Sequence, residues 1–333
     1  MSRPLILAGD IGGTHTRLAL VEVHDGRLTL ASEATVPSRD HASLEEIVEA
    51  FVAKAGQKLS HAGFGIAGPV RDGQVDATNL PWHVHARSLA TRLGLAEVTV
   101  VNDLEANAYG LAVLDAGDLV TLQAGRPDPQ GNAAVIAAGT GLGEAGLVWV
   151  GRRRHPFATE GGHADFAPTD ETQVDLYRHL AREHGHVSIE RVLSGPGLYA
   201  IYRFLRDTGR GEEPEGLAEA LRRGEPPAVI TETALSGRSP LSVQALDVFV
   251  RVYGAEAGNL ALRTMATAGV YLGGGIAPRI LPKLREPAFL DAFRAKGRLQ
   301  ALLAAMPVHV VLNDQAALLG AARCVALRAG LVE

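Results

Sequence analysis

The chain has a single cysteine, Cys324, in 333 residues. That excludes an intrachain disulfide and a cysteine-rich zinc site. It also lacks a surplus of positive charge: 32 Lys and Arg stand against 37 Asp and Glu, a formal net charge of −5. Nucleic acid is therefore not expected as a partner. No stretch approaches the run of about 20 apolar residues that spans a bilayer, so no membrane partner is expected either. Met1–Ala8 is too short for the apolar region of a secretory leader, and the expected location is cytoplasmic. The motif G-x-x-x-x-G-K-[ST] is missing, which removes support for the usual P-loop nucleotide hydrolases. The one basic run, Arg152-Arg153-Arg154, follows Gly151 and reads as a solvated turn rather than a phosphate patch.

What is there is an ordinary soluble composition, 47% hydrophobic and 21% charged, long enough for a large core and two domains. The apolar run Leu5–Ala8 predicts a buried strand leading into Gly9-Asp10-Ile11-Gly12-Gly13-Thr14. Thr16–Val23 predicts a second strand, and Asp25-Gly26 a hairpin turn into Leu28–Leu30. A dinucleotide fingerprint would need its glycines to open a helix, and these open a strand. A nicotinamide-dependent dehydrogenase is disfavoured on that ground. Glycines let backbone N–H groups approach an anion. Thr14 adds a hydroxyl, and Asp10 is placed to hold hydrated Mg²⁺. The set suits a nucleoside triphosphate, with a plain hairpin turn as the lesser alternative for the loop in isolation.

The same design returns later. Ala133–Ala138 predicts a strand entering Gly139-Thr140-Gly141-Leu142-Gly143, and Gly146–Val150 a strand leaving it. Two such turns are far less expected by chance than one. Between them, Ser43 caps a helix with Leu44, Ile47, Val48, Phe51 and Val52 at helical spacing, closed by Gly56. Val98–Val101 predicts a buried strand running into Asn102-Asp103, the strand end at which ligands of α/β sheets sit. Phosphoryl transfer asks for positioning, charge neutralisation and a base aimed at the acceptor hydroxyl. An ionised Asp103 suits that task, while either Asn102 or Asp103 could instead cap a helix over Leu104–Leu114. Residues 172–265 read as mostly helical, with a loop over Thr208–Gly216. Glu160-Gly161-Gly162-His163 sets a carboxylate and an imidazole around flexible backbone, good partners for vicinal hydroxyls. Its two glycines oppose the helix that a di-iron Glu-x-x-His site would need. Glu190, taken alone, reads as a surface ion pair. Val270–Leu272 predicts a strand opening into Gly273-Gly274-Gly275, and a strand Val308–Leu312 and a helix Gln315–Ala329 close the chain. Cys324 falls on the Ala317 and Ala321 face of that helix and reads as core.

Read together, Gly9–Thr14, Ile66–Pro69, Thr78–Trp82, Asn102-Asp103, Gly139–Gly143, Glu160–Pro168, Glu190–Gly197 and Gly273–Arg279 resemble the bacterial glucokinase family. The resemblance spans roughly residues 5–325 and points to the zinc-free branch of the hexokinase/actin-like ATPase superfamily. It implies an α/β, two-domain ribonuclease H-like ATPase fold with the active site in the interdomain cleft. The domains would be 1–110, joined by the C-terminal helix 313–330, and 111–312. It also implies ATP-dependent phosphorylation of the glucose 6-hydroxyl, commonly by a homodimer. Carried over residue by residue, Asp103 would be the general base, and Asn102, Glu160, His163 and Glu190 would hold sugar hydroxyls. Gly9 to Thr14 and Gly139 to Gly141 would cradle the phosphates, with Asp10 on Mg²⁺ through water, and Gly273 to Gly275 would lie against the adenosine. His15 departs from the Asn that often follows Gly-Gly-Thr in relatives. A kinase for another hexose or amino sugar is the nearest rival. A sugar-sensing repressor on this fold would carry an N-terminal DNA-binding domain, for which a strand starting at Leu5 leaves no room.

Overall fold

A continuous apolar run, buried on both faces, starts the first sheet. In the computed structural model, which describes residues 4–56, 59 and 61–332, β1 is Leu5–Ile11, β2 is His15–His24 and β3 is Arg27–Pro37. Met1–Arg3, part of the stretch read as too short for a leader, lie outside the described residues. β1 is longer than expected because Gly9, Asp10 and Ile11 keep pairing with both neighbouring strands. The Asp25-Gly26 turn has φ of 48° and 75°, the left-handed pair that a two-residue hairpin requires. β4 (His61–Ile66), the short antiparallel ribbon β5 (Gln74–Asp76) and β6 (His83–His85), and β7 (Glu97–Asn102) follow. The sheet runs β3-β2-β1-β4-β7, with β1 antiparallel to β2 and parallel to β4, and β4 parallel to β7. Helices α1 (Leu44–Ala55), α2 (Ala86–Leu93) and α3 (Asp103–Gly110) belong to this part. The Ser43 side chain accepts the Glu46 N–H and Gly56 closes α1, as the sequence predicts. α3 stops short of the predicted Leu114, giving way to a 3₁₀ turn over Leu111–Val113.

A second sheet holds β8 (Leu119–Gln123), β9 (Ala133–Ala138), β10 (Leu142–Val150), β11 (Arg153–Ala158), β12 (Gly269–Gly273) and β13 (Val308–Val311). Its order is β11-β10-β9-β12-β13-β8. With β8 set aside, this repeats the strand order of the first sheet, β9 standing for β1 and β13 for β7. The two glycine turns therefore occupy one equivalent place, between the first two strands of each plan. The Arg152–Arg154 run is not simply a solvated turn. Arg153 and Arg154 enter β11, and the Arg154 guanidinium lies 5.3 Å from the Trp149 ring while donating to Gly131 O (2.9 Å) and Pro129 O (2.7 Å).

Two compact units result: Met1–Asp118 with His155–Ala158 and Asn313–Glu333, and Leu119–Arg154 with Thr159–Leu312. In the first, Leu5, Leu7 and Ile11 face a core containing Leu44, Val48 and Phe64. Ile6 and Ala8 face Leu318, Ala322 and Val325 of the C-terminal helix Ala316–Arg328. The two-residue alternation of a strand puts Asp10 on the Ile6 and Ala8 face. In the second unit the helix Pro240–Thr264 buries Phe249, Tyr253 and Ala257 in a core shared with Ile136, Phe289 and Phe293. Cys324 is buried with Val101, Ala106 and Ala321, as expected. No helix among the described residues is long and apolar enough to cross a membrane.

α3 meets the C-terminal helix backbone to backbone. A Cβ on Gly320 would lie closer than 3.0 Å to Ala106 O, and one on Gly110 equally close to Ala316 O. Gly320→Ala is therefore expected to lower stability by about 1–3 kcal/mol in urea unfolding. Gly117→Ala, whose Cβ would meet nothing within 4 Å, should leave the midpoint nearly unchanged. Equal midpoints for the two variants would contradict this packing.

Candidate functional site

The candidate residues fall into two groups, one on each unit. In the first unit Asp10 stands in register between Arg17 of β2 and Gly65 of β4. A Cβ on Gly65 would meet Ala106 Cβ at 2.7 Å and Asp103 Cα at 3.6 Å, so its absence lets the start of α3 lie over β4. Asn102, at the end of β7, is 6% exposed and is the cap of α3. Its Oδ1 accepts Leu104 N–H (2.9 Å) and Glu105 N–H (3.3 Å), and its amide donates to Gly68 O (3.1 Å). That resolves the ambiguity in the sequence: Asp103 is the first helical residue, with Oδ1 accepting Leu104 N–H at 2.9 Å.

Burial pushes the Asp10 carboxyl up to about 6, the Asp103 charge adds to the shift, and Arg17 opposes it. A desolvated carboxylate that also feels the Asp103 charge is one that a divalent cation would neutralise. Among the described residues no group of three or more His, Cys, Asp or Glu comes together that could hold a metal. A cation at Asp10 would thus draw most of its ligands from water and phosphate, the usual habit of Mg²⁺.

The turn itself is tied to the protein. Gly12 N–H donates to His15 O (3.0 Å), Ser38 N–H to Thr14 O (2.9 Å) and Ser38 Oγ to Gly12 O (2.7 Å). Gly13 packs on Asn79, where a Cβ would come within 2.5 Å of the Asn79 Cβ. Ser38 carries no sequence signal of this role, and Asn79 only its place in the Thr78–Trp82 motif. His15 opens β2 as an exposed residue.

In the second unit Gly139 N–H likewise closes its own turn, on Gly141 O (2.8 Å), and Gly195 N–H donates to Gly139 O (2.8 Å). Glu190, weak as a sequence signal, is brought to this turn. Its Oε2 accepts Leu142 N–H at 2.8 Å, and a Cβ on Gly141 would lie 2.6 Å from the same oxygen. Gly274, with φ of 77°, sits against the Ala138 backbone, beside Gly139. Gly275 is open, with nothing within 4 Å of where a Cβ would be. Glu160 precedes a single 3₁₀ turn, Gly161–His163, in which His163 N–H donates to Glu160 O (3.0 Å). The Glu160 carboxylate and His163 Nε2 are 3.9 Å apart, and both side chains are more than half exposed, at 56% and 60%.

One group beside this site has almost no sequence signal. Glu144 is a lone acid within the apolar pattern of β10, and only 2% exposed. Burial and the neighbouring Glu256 push its carboxyl well above the ordinary range, against the pull of Arg263. A Cβ on Gly161 would lie closer than 3.0 Å to its Oε2, and one on Gly162 equally close to Leu142 O. Leu142 and Glu144, the first and third residues of β10, thus touch Glu190, Gly161 and Gly162.

The chain matches the family model described as Glucokinase over residues 7–328. It is 44% identical to a glucokinase of Nostoc sp. over 338 residues, covering 97% of this chain and 99% of that protein. A glucokinase of Synechocystis sp. is 39% identical, with 96% and 97% covered. Among solved structures, a glucokinase from an Antarctic psychrotroph superposes with a TM-score of 0.84 at 32% identity, covering 98% of this chain and all of that one.

Asp10 holds its proton to higher pH in the fold than its ordinary value of 3.8 allows. The folded form then binds the extra proton between 3.8 and about 6, and stability falls as pH rises through that window. Asp10→Asn is expected to raise the melting temperature at neutral pH, with the gain shrinking as pH drops from about 6. Thermal unfolding of both proteins without nucleotide or metal checks this. Equal melting temperatures at neutral pH would refute the raised proton affinity of the buried Asp10 carboxyl.

Proposed function

The chain belongs to the glucokinase family, and on that premise we propose how its residues carry out the reaction. It is an ATP-dependent sugar kinase that transfers the γ-phosphoryl group to the 6-hydroxyl of glucose. The observation that carries the residue assignment is the Asn102 cap. With Asn102 bonded to Leu104, Glu105 and Gly68, Asp103 stands at the first position of α3, where the positive end of the helix favours a carboxylate. An ionised carboxylate there is a suitable base for an alcohol proton.

In this reading Asp103 receives the proton of the 6-hydroxyl as the oxygen attacks phosphorus. Asn102, Glu160, His163 and Glu190 hydrogen-bond the other hydroxyls and hold the sugar in one pose. The turns Gly9–Thr14 and Gly139–Gly141 hold the phosphates. Because Gly12 and Gly139 spend their N–H groups within the turns, donation falls to their neighbours Gly13, Thr14, Thr140 and Gly141. Gly273–Gly275 lie along the adenosine, with the open Gly275 offering a flat backbone surface. Mg²⁺, held through water by Asp10, would supply charge neutralisation on the transferred phosphoryl oxygens. The same reading includes a cytoplasmic homodimer acting at the entry to glycolysis, which light scattering and cell fractionation can check.

Asp103→Asn is expected to lower kcat by about 10³-fold. Glucose should still bind within a few-fold, because the cap and the first turn of α3 keep their shape. Steady-state kinetics joined to glucose-induced thermal shifts separate the two effects. Near-normal turnover would assign the proton to another group. A matrix of phosphoryl donors against hexoses, with product identification, tests the choice of ATP and glucose.

A further inference from the structure

Glu144 and Glu256, 2% and 3% exposed, meet through a side-chain hydrogen bond, with one set of donors between them. Arg263 Nη1 donates to Glu256 Oε1 and Asn259 Nδ2 to Glu256 Oε2, each at 2.9 Å. Lys296 Nζ donates to Asn259 Oδ1 (2.7 Å) and Ala255 O (2.8 Å), which turns the Asn259 amide N–H toward Glu256. Glu256 is thus equipped as a carboxylate. Glu144 is not, for its Oε1 has no hydrogen-bond partner and its Oε2 abuts Gly161. Two adjoining buried carboxyls with donors for one hold a single charge, and the proton goes to the unserved one.

We propose that Glu144 is a positioning residue for the sugar loop: as a neutral acid hydrogen-bonded to ionised Glu256, it is the floor under Gly161 that sets where Glu160 and His163 stand. The inference rests on the reading of Glu160 and His163 as partners of glucose hydroxyls. A second connection runs through the backbone. Thr159 Oγ1 donates to Glu144 O (2.9 Å) and accepts Gly161 N–H (3.2 Å). Gly161 is therefore held by Glu144 from two directions. The charged groups facing the pair are Arg263 and, behind Asn259, Lys296, while on the neighbouring strand Glu144 is paired with the apolar Ile136. None of them supplies Glu144 with a donor in the structure. Loss of its proton at alkaline pH sets two charges against each other and moves the carboxyl on which Gly161 rests. Glucose affinity then falls as pH rises, with little effect on ATP.

The test is glucose and ATP kinetics at neutral and alkaline pH for the wild type, Glu144→Ala, Glu144→Gln and Glu160→Gln. Glu144→Ala should raise the glucose KM on the order of ten-fold, since small misplacements of a binding group are costly, with kcat and the ATP KM moving far less. Glu144→Gln keeps the shape and the donor, so its glucose KM should match the wild type at neutral pH. It should also stay flat at alkaline pH, where the wild-type value rises. A Gln variant as impaired as the Ala variant, or one that keeps the alkaline rise, would overturn the inference. If Glu144→Ala does not fold, the pH profile of Glu144→Gln decides alone. An unchanged glucose KM in Glu160→Gln would show that the loop reading itself fails, and the inference with it. A raised KM there beside an unchanged Glu144→Ala would sink only the role of Glu144.

Discussion

The acidic end of the first unit depends on how one side-chain amide is spent. Asn102 caps α3 and ties it to Gly68. The adjoining residue, Asp103, is then carried by the first turn of a helix rather than consumed as its cap. Gly65 lets that helix start lie close over β4, which brings Asp103 near enough to Asp10 to raise its carboxyl. A cap worth about 1 kcal/mol to the helix thus has its larger consequence in placement. An aspartate at position 102 would add a third carboxylate beside Asp10 and Asp103, and an apolar residue would leave the Glu105 N–H without its acceptor and Leu104 N–H with Asp103 Oδ1 alone.

The second unit is organised around the first residues of β10. Leu142 offers its N–H to Glu190 and its carbonyl surface to Gly162, and Glu144 supports Gly161. Residues far apart in the chain are held against two strand positions, Leu142 and Glu144. A strand inside a sheet is a rigid support, because its own backbone groups are paired with β9. Two glycines in the loop allow contact at backbone distance, which no side chain would permit. The duplication of strand order gives each unit the same start, a glycine turn between antiparallel strands. The units then diverge: the first follows its strand plan with Asp103 and α3, the second adds a largely helical stretch carrying Glu160, His163 and Glu190.

Much of this was legible in the residues. Strand-turn-strand at Gly9–Thr14 and Gly139–Gly143, the capped helix at Ser43 and the core place of Cys324 follow from patterning and from what glycine and a capping serine do locally. Family membership was legible too, because many short motifs stand in one order. Strand ends were less so: β1 runs on through Asp10, and β11 takes in two arginines and a proline. Pairing partners, rather than composition, extend an edge or a strand end.

The sequence by itself determined the groups on offer: carboxylates, an imidazole and two glycine turns between strands, in a chain with one cysteine and so no intrachain disulfide. Only the tertiary structure decided which of Asn102 and Asp103 caps the helix and which stands at its first position. It alone attached Glu190 to the Gly139 turn and put Glu144 beneath Gly161. Those outcomes depend on distances between segments separated by tens of residues, and on burial that moves a carboxyl's proton affinity. Local periodicity carries no record of either.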